Sequence, residues 1–390
     1  MFAMTTDPTP FIDKSVSRRT TLGKIADLLD RQNIDVDEIG SIQRINVWQG
    51  MVKNDEGEAE AVDLVGVQIN PSWAEGPEWP VVQPVTPANI KPRNVKRNRP
   101  ETIRKTVLLP DPQIGYLKNH ETNELVPMHD ESVMNIGIQI IEEVRPDVVV
   151  NMGDYLDMSE WSSKFVVYPE FQYTTQPALN RGHEYLAQQR ASAGLDAEIY
   201  LLAGNHDDRL GLAVAKNAKA ALRLRRADEP EGWPALSVPN LLALDTLDVE
   251  YVSGYPAGRI KIADAHGEQT PLYALHGEKI DMKKQAQSER HSTVQGHSHH
   301  VSVHSETYEY DGQAQEVVAF SIGSMCRKDG VVPSTKGGYD DKGKHVTRQE
   351  SWQHAVAVLT ETPNSWSMEI ITVHDGIALY RDKEFVAEVE

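Results

Sequence analysis

The sequence predicts a layered α/β domain behind a small, mainly helical N-terminal module, and three observations carry that reading. Short apolar runs end in polar loops, each followed by a segment of helix length, the rhythm of strands and helices packed in layers. A proline-rich and then basic stretch at 71–102 interrupts the chain. Ahead of it, residues 20–48 space their apolar side chains at three and four, as helices do.

In chain order, Leu22, Ile25, Leu28 and Leu29 share a helical face, with Thr20 or Thr21 as its cap. Ile39, Ile42, Ile45 and Trp48 recur every third residue after Asp37, which predicts a second helix, and Asn33-Ile34-Asp35-Val36 suits the turn between them. Two short helices in succession suggest a helix-turn-helix-like unit, a contact module for DNA or for another protein. Val65, Val67 and Ile69 alternate with Gly66 and Gln68, giving a strand that completes the module. Pro77, Pro80, Pro84, Pro87 and Pro92 then disfavour helix interiors and central strands. The expected division is a module over 1–70, a linker over 71–102 and a catalytic domain over 103–390. The end of the linker crowds Lys91, Arg93, Lys96, Arg97, Arg99, Arg104 and Lys105 around one acid, Glu101, as a solvated linker or a local nucleic-acid contact.

Beyond the linker, Thr106-Val107-Leu108-Leu109 leads into Asp111, Val148-Val149-Val150 into Asp154, and Ile199-Tyr200-Leu201-Leu202 into Asn205-His206. Loops at the carboxyl ends of strands in an open α/β sheet converge on one crevice, however distant in sequence. Runs at 271–276, 292–296, 316–322 and 354–359 read as strands of a second sheet. Cys326 stands alone, so no internal disulfide forms, and no basic-then-apolar leader opens the chain, so a cytoplasmic protein is expected. No apolar run reaches the roughly 20 residues of a membrane helix, so no membrane partner is expected. A formal charge of −19 repels polyanions, and any nucleic-acid contact must be local.

The polar loops read, in order, Asp111-Pro112-Gln113, Gly153-Asp154-Tyr155-Leu156-Asp157, Gly204-Asn205-His206-Asp207, His276-Gly277 and Gly296-His297-Ser298-His299. Singly, an Asp after a strand is ordinary turn or cap chemistry. Together they offer imidazole, carboxylate and amide oxygen with no thiolate, a mixed donor set suited to manganese, iron or zinc. Such a set is rich enough for two cations about 3.5–4 Å apart that share one carboxylate, for which Asp154 is the candidate.

That order closely resembles the calcineurin-like metallophosphoesterases, over roughly residues 103–375. The resemblance implies a four-layer αββα sandwich, one metal held by Asp111, Gln113, Asp154 and His299, and a second held by Asp154, Asn205, His276 and His297. Two divalent ions are implied, manganese first, with iron or zinc as alternatives. Where many relatives have Asp-x-His, this chain has Gln113, a neutral and weaker donor, but some family members resemble it in having Asp-Pro-Gln there, so two metals are expected, with room for uneven affinity. The resemblance also implies in-line attack by a metal-bridging hydroxide, with His206 protonating the leaving oxygen and Asp157 orienting His206. Arg209 reads either as a phosphate contact or as a surface residue of the following helix. Asp207 and Asp208 read first as caps of that helix and otherwise as support for the metal shell, Cys326 as a small packed side chain, and Asp329–Lys344 as a mobile loop over the site.

A built-in proton donor favours diesters, whose alkoxide leaving groups need one. Met158-Ser159 stands where the similar protein phosphatases have Arg-Gly, and Asp207 where they have Glu, which disfavours that specificity. The sequence therefore predicts a phosphodiesterase acting on nucleic acid, a nuclease. The alternatives are a small-molecule nucleotide phosphodiesterase or phosphomonoesterase and, from another class, a metal-containing binding or assembly protein without turnover, against which His206 and Asp157 argue.

Overall fold

The computed structural model describes residues 39–53, 58–71, 96–97, 99–119, 122, 124–164, 169–333, 338–339, 345–346 and 348–388. The chain divides into two compact units, Met1–Val81 and Val82–Glu390.

In the first unit, β1 (Ile39–Lys53) and β2 (Ala59–Pro71) form an antiparallel hairpin in which Lys53 pairs with Ala59. The strand expected over 65–69 lies inside β2. The helix expected over 39–48 is instead β1, which corrects the mainly helical reading of this part. Its register sets Ile45 opposite Val67, Val47 opposite Val65 and Trp48 opposite Leu64. β-Branched and aromatic residues favour extended backbone, whereas Gly40 weakens the expected helix by about 1 kcal/mol. The period-three spacing of the isoleucines is outweighed by a partner strand. The helix expected over 20–31 lies outside the described residues.

The second unit begins with β3 (Arg104–Leu109), followed by a small hairpin of β4 (Tyr116–Lys118) and β5 (Leu125–Pro127). Next come α1 (Glu131–Val144), β6 (Val148–Asn151), α2 (Thr175–Ala193), β7 (Glu198–Leu202), α3 (Asp208–Asn217) and β8 (Val249–Val252). Then follow β9 (Arg259–Ala263), β10 (Leu272–Leu275), α4 (Met282–Glu289), β11 (Ser292–Gln295), β12 (Val301–Tyr310) and β13 (Gln313–Ile322). After a two-residue pair, β14 (Gly338–Tyr339) with β15 (His345–Val346), the chain ends in β16 (Ala355–Thr362), β17 (Ser365–His374), β18 (Ile377–Tyr380) and β19 (Lys383–Val386).

One sheet has the order β19-β18-β17-β16-β3-β6-β7-β8, with β3, β6, β7 and β8 parallel; the other runs β12-β13-β11-β10-β9. Strand alternation explains the layering. Val107, Leu109 and Val149 pack with Ile136, Ile140 and Leu186 of α1 and α2. Leu108, Val148 and Val150 point the other way, onto Ile262, Leu272, Val294 and Phe320 of the second sheet. On the far face of that sheet Met282 and Ala286 of α4 cover Val317 and Ala319. Helices, sheet, sheet, helix is the four-layer αββα sandwich expected, and β6, buried on both sides, shows why its sequence is an unbroken valine run. The run at 354–359 is corrected: β16 belongs to the first sheet, antiparallel to β3, although it does make a hairpin with β17. Among the described residues no helix is long and apolar enough to cross a membrane.

Packing also consumes part of the basic linker. Arg97 and Arg99 both pair with Asp147, Arg99 also donates to the carbonyls of Ile103 and Arg145, and Arg104 meets Glu198 at 3.4 Å. These cations fasten the chain to the edge of the sandwich where a solvated linker was one expectation.

Candidate metal centre

Five strand ends deliver the site. Pro110 and Pro112, which have no N–H to donate, stop β3 and turn the chain so that Asp111 and Gln113 follow it. Asp154 follows β6, Asn205 and His206 follow β7, His276 follows β10, and His297 and His299 follow β11. Asp111, Gln113, Asp154, His297 and His299 all hold left-handed backbone, with φ of 40°, 45°, 44°, 61° and 58°. Each such residue costs about 1–2 kcal/mol, and this strain falls on five of the seven residues expected to hold metal. Close approach fixes two glycines. A Cβ on Gly296 would stand 2.4 Å from Asp111 Oδ1, and one on Gly204 2.2 Å from Asp154 Oδ1.

The seven side chains meet as two groups. In one, His276 Nε2 lies 3.3 Å from Asp154 Oδ1, 3.2 Å from Asn205 Oδ1 and 3.3 Å from His297 Nδ1. Donor atoms of Asp154, His276 and His297 all fall within 4.8 Å of one another. In the other, His299 Nε2 lies 3.4 Å from the Gln113 amide and 3.7 Å from Asp111 Oδ2. The Asp154 carbonyl accepts from Gln113 N at 2.9 Å, and Asp111 Oδ1 is 3.4 Å from His276 Nδ1, which binds the groups together.

The donors fit divalent cations. Both carboxylate oxygens of Asp111 and the Gln113 Oε1 are buried without a hydrogen-bonding donor, an arrangement that costs several kcal/mol unless a cation or proton compensates. His276 Nδ1 lies 2.9 Å from the Met152 carbonyl; donating there fixes the ring with Nε2 as the atom that faces Asp154. Burial lowers His297 to about 4 and His299 to about 3, so both rings are neutral and available as ligands. Burial also opposes charge on His276, but Asp154, Asp111 and the Met152 carbonyl lift it to about 9. Asp111 is raised well above the carboxylate range by burial, with Asp154 adding to the effect against His276. Asp154 goes the other way: burial is outweighed by His206 and His276.

Beside these donors, His206 Nδ1 meets Asp157 Oδ2 at 3.1 Å, and His206 Nε2 stands 3.7 Å from Asp154 Oδ2. Asp157 is fully buried. Burial is outweighed there by His206 and Arg209, which hold it below the usual carboxylate range, and Ser159 Oγ also donates to it. Arg209, read from sequence as a surface or phosphate-binding residue, is buried and donates to the Asp157 carbonyl at 2.7 Å. Asp207 is corrected too. Its side chain caps nothing; it accepts from Tyr155 N at 3.2 Å, Leu156 N at 3.0 Å and Gly204 N at 3.0 Å, tying the loop after β6 to the loop after β7.

The pattern of the calcineurin-like phosphoesterases matches residues 123–330, just over half of the chain. The chain belongs to that family. This calcineurin-like phosphoesterase is a metal-dependent hydrolase of phosphoric esters, and the expected ligands Asp111 and Gln113 stand upstream of the matched residues. No curated protein matches the chain. Among solved structures it is similar to vacuolar protein sorting 29 from Cryptosporidium parvum at 13% identity and a TM-score of 0.33, covering 73% of this chain and 100% of that one. It is also similar to a 5'-nucleotidase precursor from Thermus thermophilus at 10% identity and a TM-score of 0.24, covering 69% of this chain and 54% of that one.

Several groups around the site carried no signal in the sequence. Tyr255 packs edge-on against His276 at 5.6 Å, and Trp352 against His299 at 4.2 Å, from loops that no motif marks. Cys326 Sγ lies 3.7 Å from His299 Nδ1, and burial pushes its thiol well up, which keeps it an unreactive packed side chain. Of Asp329–Lys344, residues 334–337 and 340–344 lie outside the described residues.

Proposed function

We propose that this phosphoesterase hydrolyses phosphodiesters, nucleic acid foremost, with His206 as the proton donor to the leaving oxygen. One divalent ion would be held by Asp111, Gln113, Asp154 and His299, and a second by Asp154, Asn205, His276 and His297. Manganese is the first choice and iron or zinc the alternatives; when bound, the pair supplies Lewis acidity toward water and the phosphoryl oxygens.

The observation that carries the reading is the His206–Asp157 pair, 3.1 Å apart and placed against the shared carboxylate Asp154. Asp157, buried and held below the usual carboxylate range, accepts the Nδ1–H of His206 and so fixes the ring with Nε2 turned toward Asp154. Nε2 then holds the proton that a departing alkoxide takes, after which His206 is neutral and still held by Asp157. Ser159 and Arg209 fix Asp157 in turn, so the donor cannot swing away. A phosphodiester with an alkoxide leaving group is the substrate that gains most from this arrangement.

The test compares leaving groups. With manganese, His206→Ala should slow cleavage of thymidylyl-thymidine about 10²–10⁴-fold, while the p-nitrophenyl ester of thymidine 5'-phosphate, whose leaving group needs no proton, loses far less. Equal losses on both substrates would remove His206 from the acid role. Preference for p-nitrophenyl phosphate over its diester would favour phosphomonoesterase instead.

A further inference from the structure

Beside Asn205 the surface opens into a groove of about 880 Å³, lined by residues of α3 and of the Ser159–Trp161 turn. Tyr255 also lines it and packs on His276, so the groove reaches the ligand cluster. Trp161, Leu212 and Leu236 make its walls apolar. Of its two carboxylates, Glu160 is engaged by Thr174 and Thr175, and Asp208 sits in the first turn of α3. The groove is thus suited to a flat apolar group near a cation-rich rim.

That rim is a local exception in a chain of charge −19. From Arg209 to Ala227 there is no acid, while Lys216, Lys219, Arg223, Arg225 and Arg226 follow one another. Arg226 is taken up by Asp228 at 2.6 Å; Lys216, Lys219 and Arg223 are exposed. Lys216 lines the groove, so the cationic strip continues directly from it.

We propose that the groove and the 216–226 strip bind single-stranded nucleic acid, seating the nucleoside on the leaving-group side of the scissile phosphate against Trp161 and Tyr255, with the next phosphates along Lys216, Lys219 and Arg223. The proposal rests on the phosphodiesterase reading and adds the substrate's form and orientation. The leaving-group side follows from His206, which sits in one turn between Asn205 and the groove-lining Asp208 and Arg209. A single strand follows from the walls: aromatic faces bind bases that are unstacked, and cations then track the backbone.

The experiment is fluorescence anisotropy of a labelled 12-nucleotide oligothymidylate with the full chain in EDTA, where no turnover occurs. Lys216→Glu with Lys219→Glu and Arg223→Glu should weaken binding at least about tenfold and flatten the slope of log K against log salt by about 2. Trp161→Ala should weaken it about tenfold with the salt slope unchanged. Wild-type affinity and slope in the triple variant overturn the proposal. So does a wild-type chain that ignores the oligonucleotide but sediments with phosphatidylserine vesicles, since the strip would then face a membrane. Turnover of bis-p-nitrophenyl phosphate with manganese separates the two claims. Diester cleavage without oligonucleotide binding sinks only this inference, and binding without cleavage of any diester supports the surface while sinking the catalytic reading.

Discussion

Around Asp154 the protein already satisfies its own polar atoms. His276 contacts both Asn205 and His297, His276 is locked by Met152, and His206 N donates to Asp154 Oδ1 at 2.8 Å. Around Asp111 it does not: among the described residues three buried oxygens lack a full hydrogen bond, with only the His297 N–H approaching Asp111, and Gln113 brings no charge. The first group is organised whether or not a cation is bound, while the second is a set of desolvated acceptors that a proton or a cation must relieve. The two ions should therefore bind in order, at Asp154, Asn205, His276 and His297 first and at Asp111, Gln113 and His299 afterwards.

The largest effect belongs to the residue both groups share. Asp154→Asn should lower diester turnover by more than the roughly 10–100-fold typical of outer-shell changes, and a smaller loss measured by steady-state kinetics would show that the groups do not depend on a common ligand. Next comes stability. Manganese at about 100 times its Kd should stabilise the wild type by about 2.7 kcal/mol. Asp111→Asn should leave the metal-free chain within about 1 kcal/mol of wild type at pH 7, because burial already favours the uncharged carboxyl, and forfeit part of the manganese gain. Denaturant unfolding with and without the ion measures both, and larger destabilisation of the metal-free variant would contradict the contrast. Smaller again, Gln113→Ala should reduce calorimetric stoichiometry from about two ions to about one at micromolar manganese, with Gln113→His restoring the second; loss of both ions from Gln113→Ala would merge the groups.

The least effect concerns what stands behind the Gln113 loop. There His129 lies 3.2 Å from the Gly115 carbonyl and 2.9 Å from Glu131, which takes two bonds from Arg181. Burial would raise Glu131, but Arg181 and His129 outweigh it and hold the carboxyl well below its usual value. A depressed carboxyl stabilises the fold above its unfolded pKa, near 4.3, and that contribution fades as pH falls toward the folded value. Glu131→Gln should therefore cost roughly 1 kcal/mol or less at pH 7, since the pair is partly exposed. The gap between variant and wild type should close below about pH 4; a gap that persists in acid would mean that packing, not charge, holds the loop.

The αββα layering and the convergence of the nine expected site residues were legible because each motif follows an apolar strand, and strand alternation then dictates which side chains face the crevice. The stretch 39–48 misleads because isoleucines every third residue fit a helix as well as an unpaired strand, and the partner at 59–71 decides only through long-range pairing. The second-sheet assignment of 354–359 fails for a related reason: a strand's composition does not say which neighbour it joins. Asp207 illustrates a subtler limit. An acid at a helix start reads as a cap, yet backbone N–H groups some fifty residues away in sequence lie closer to its carboxylate. The cations at 91–105 and 216–226 look alike in composition, and only the fold shows Arg97 and Arg99 neutralised by Asp147.

Because Asp207 grips main-chain amides on two adjacent loops, the spacing from Asp154 to His206 is held by the two backbones and one buried carboxylate. An engineer could exchange the carboxylates and imidazoles of this pocket and still find His206 standing where it stood before.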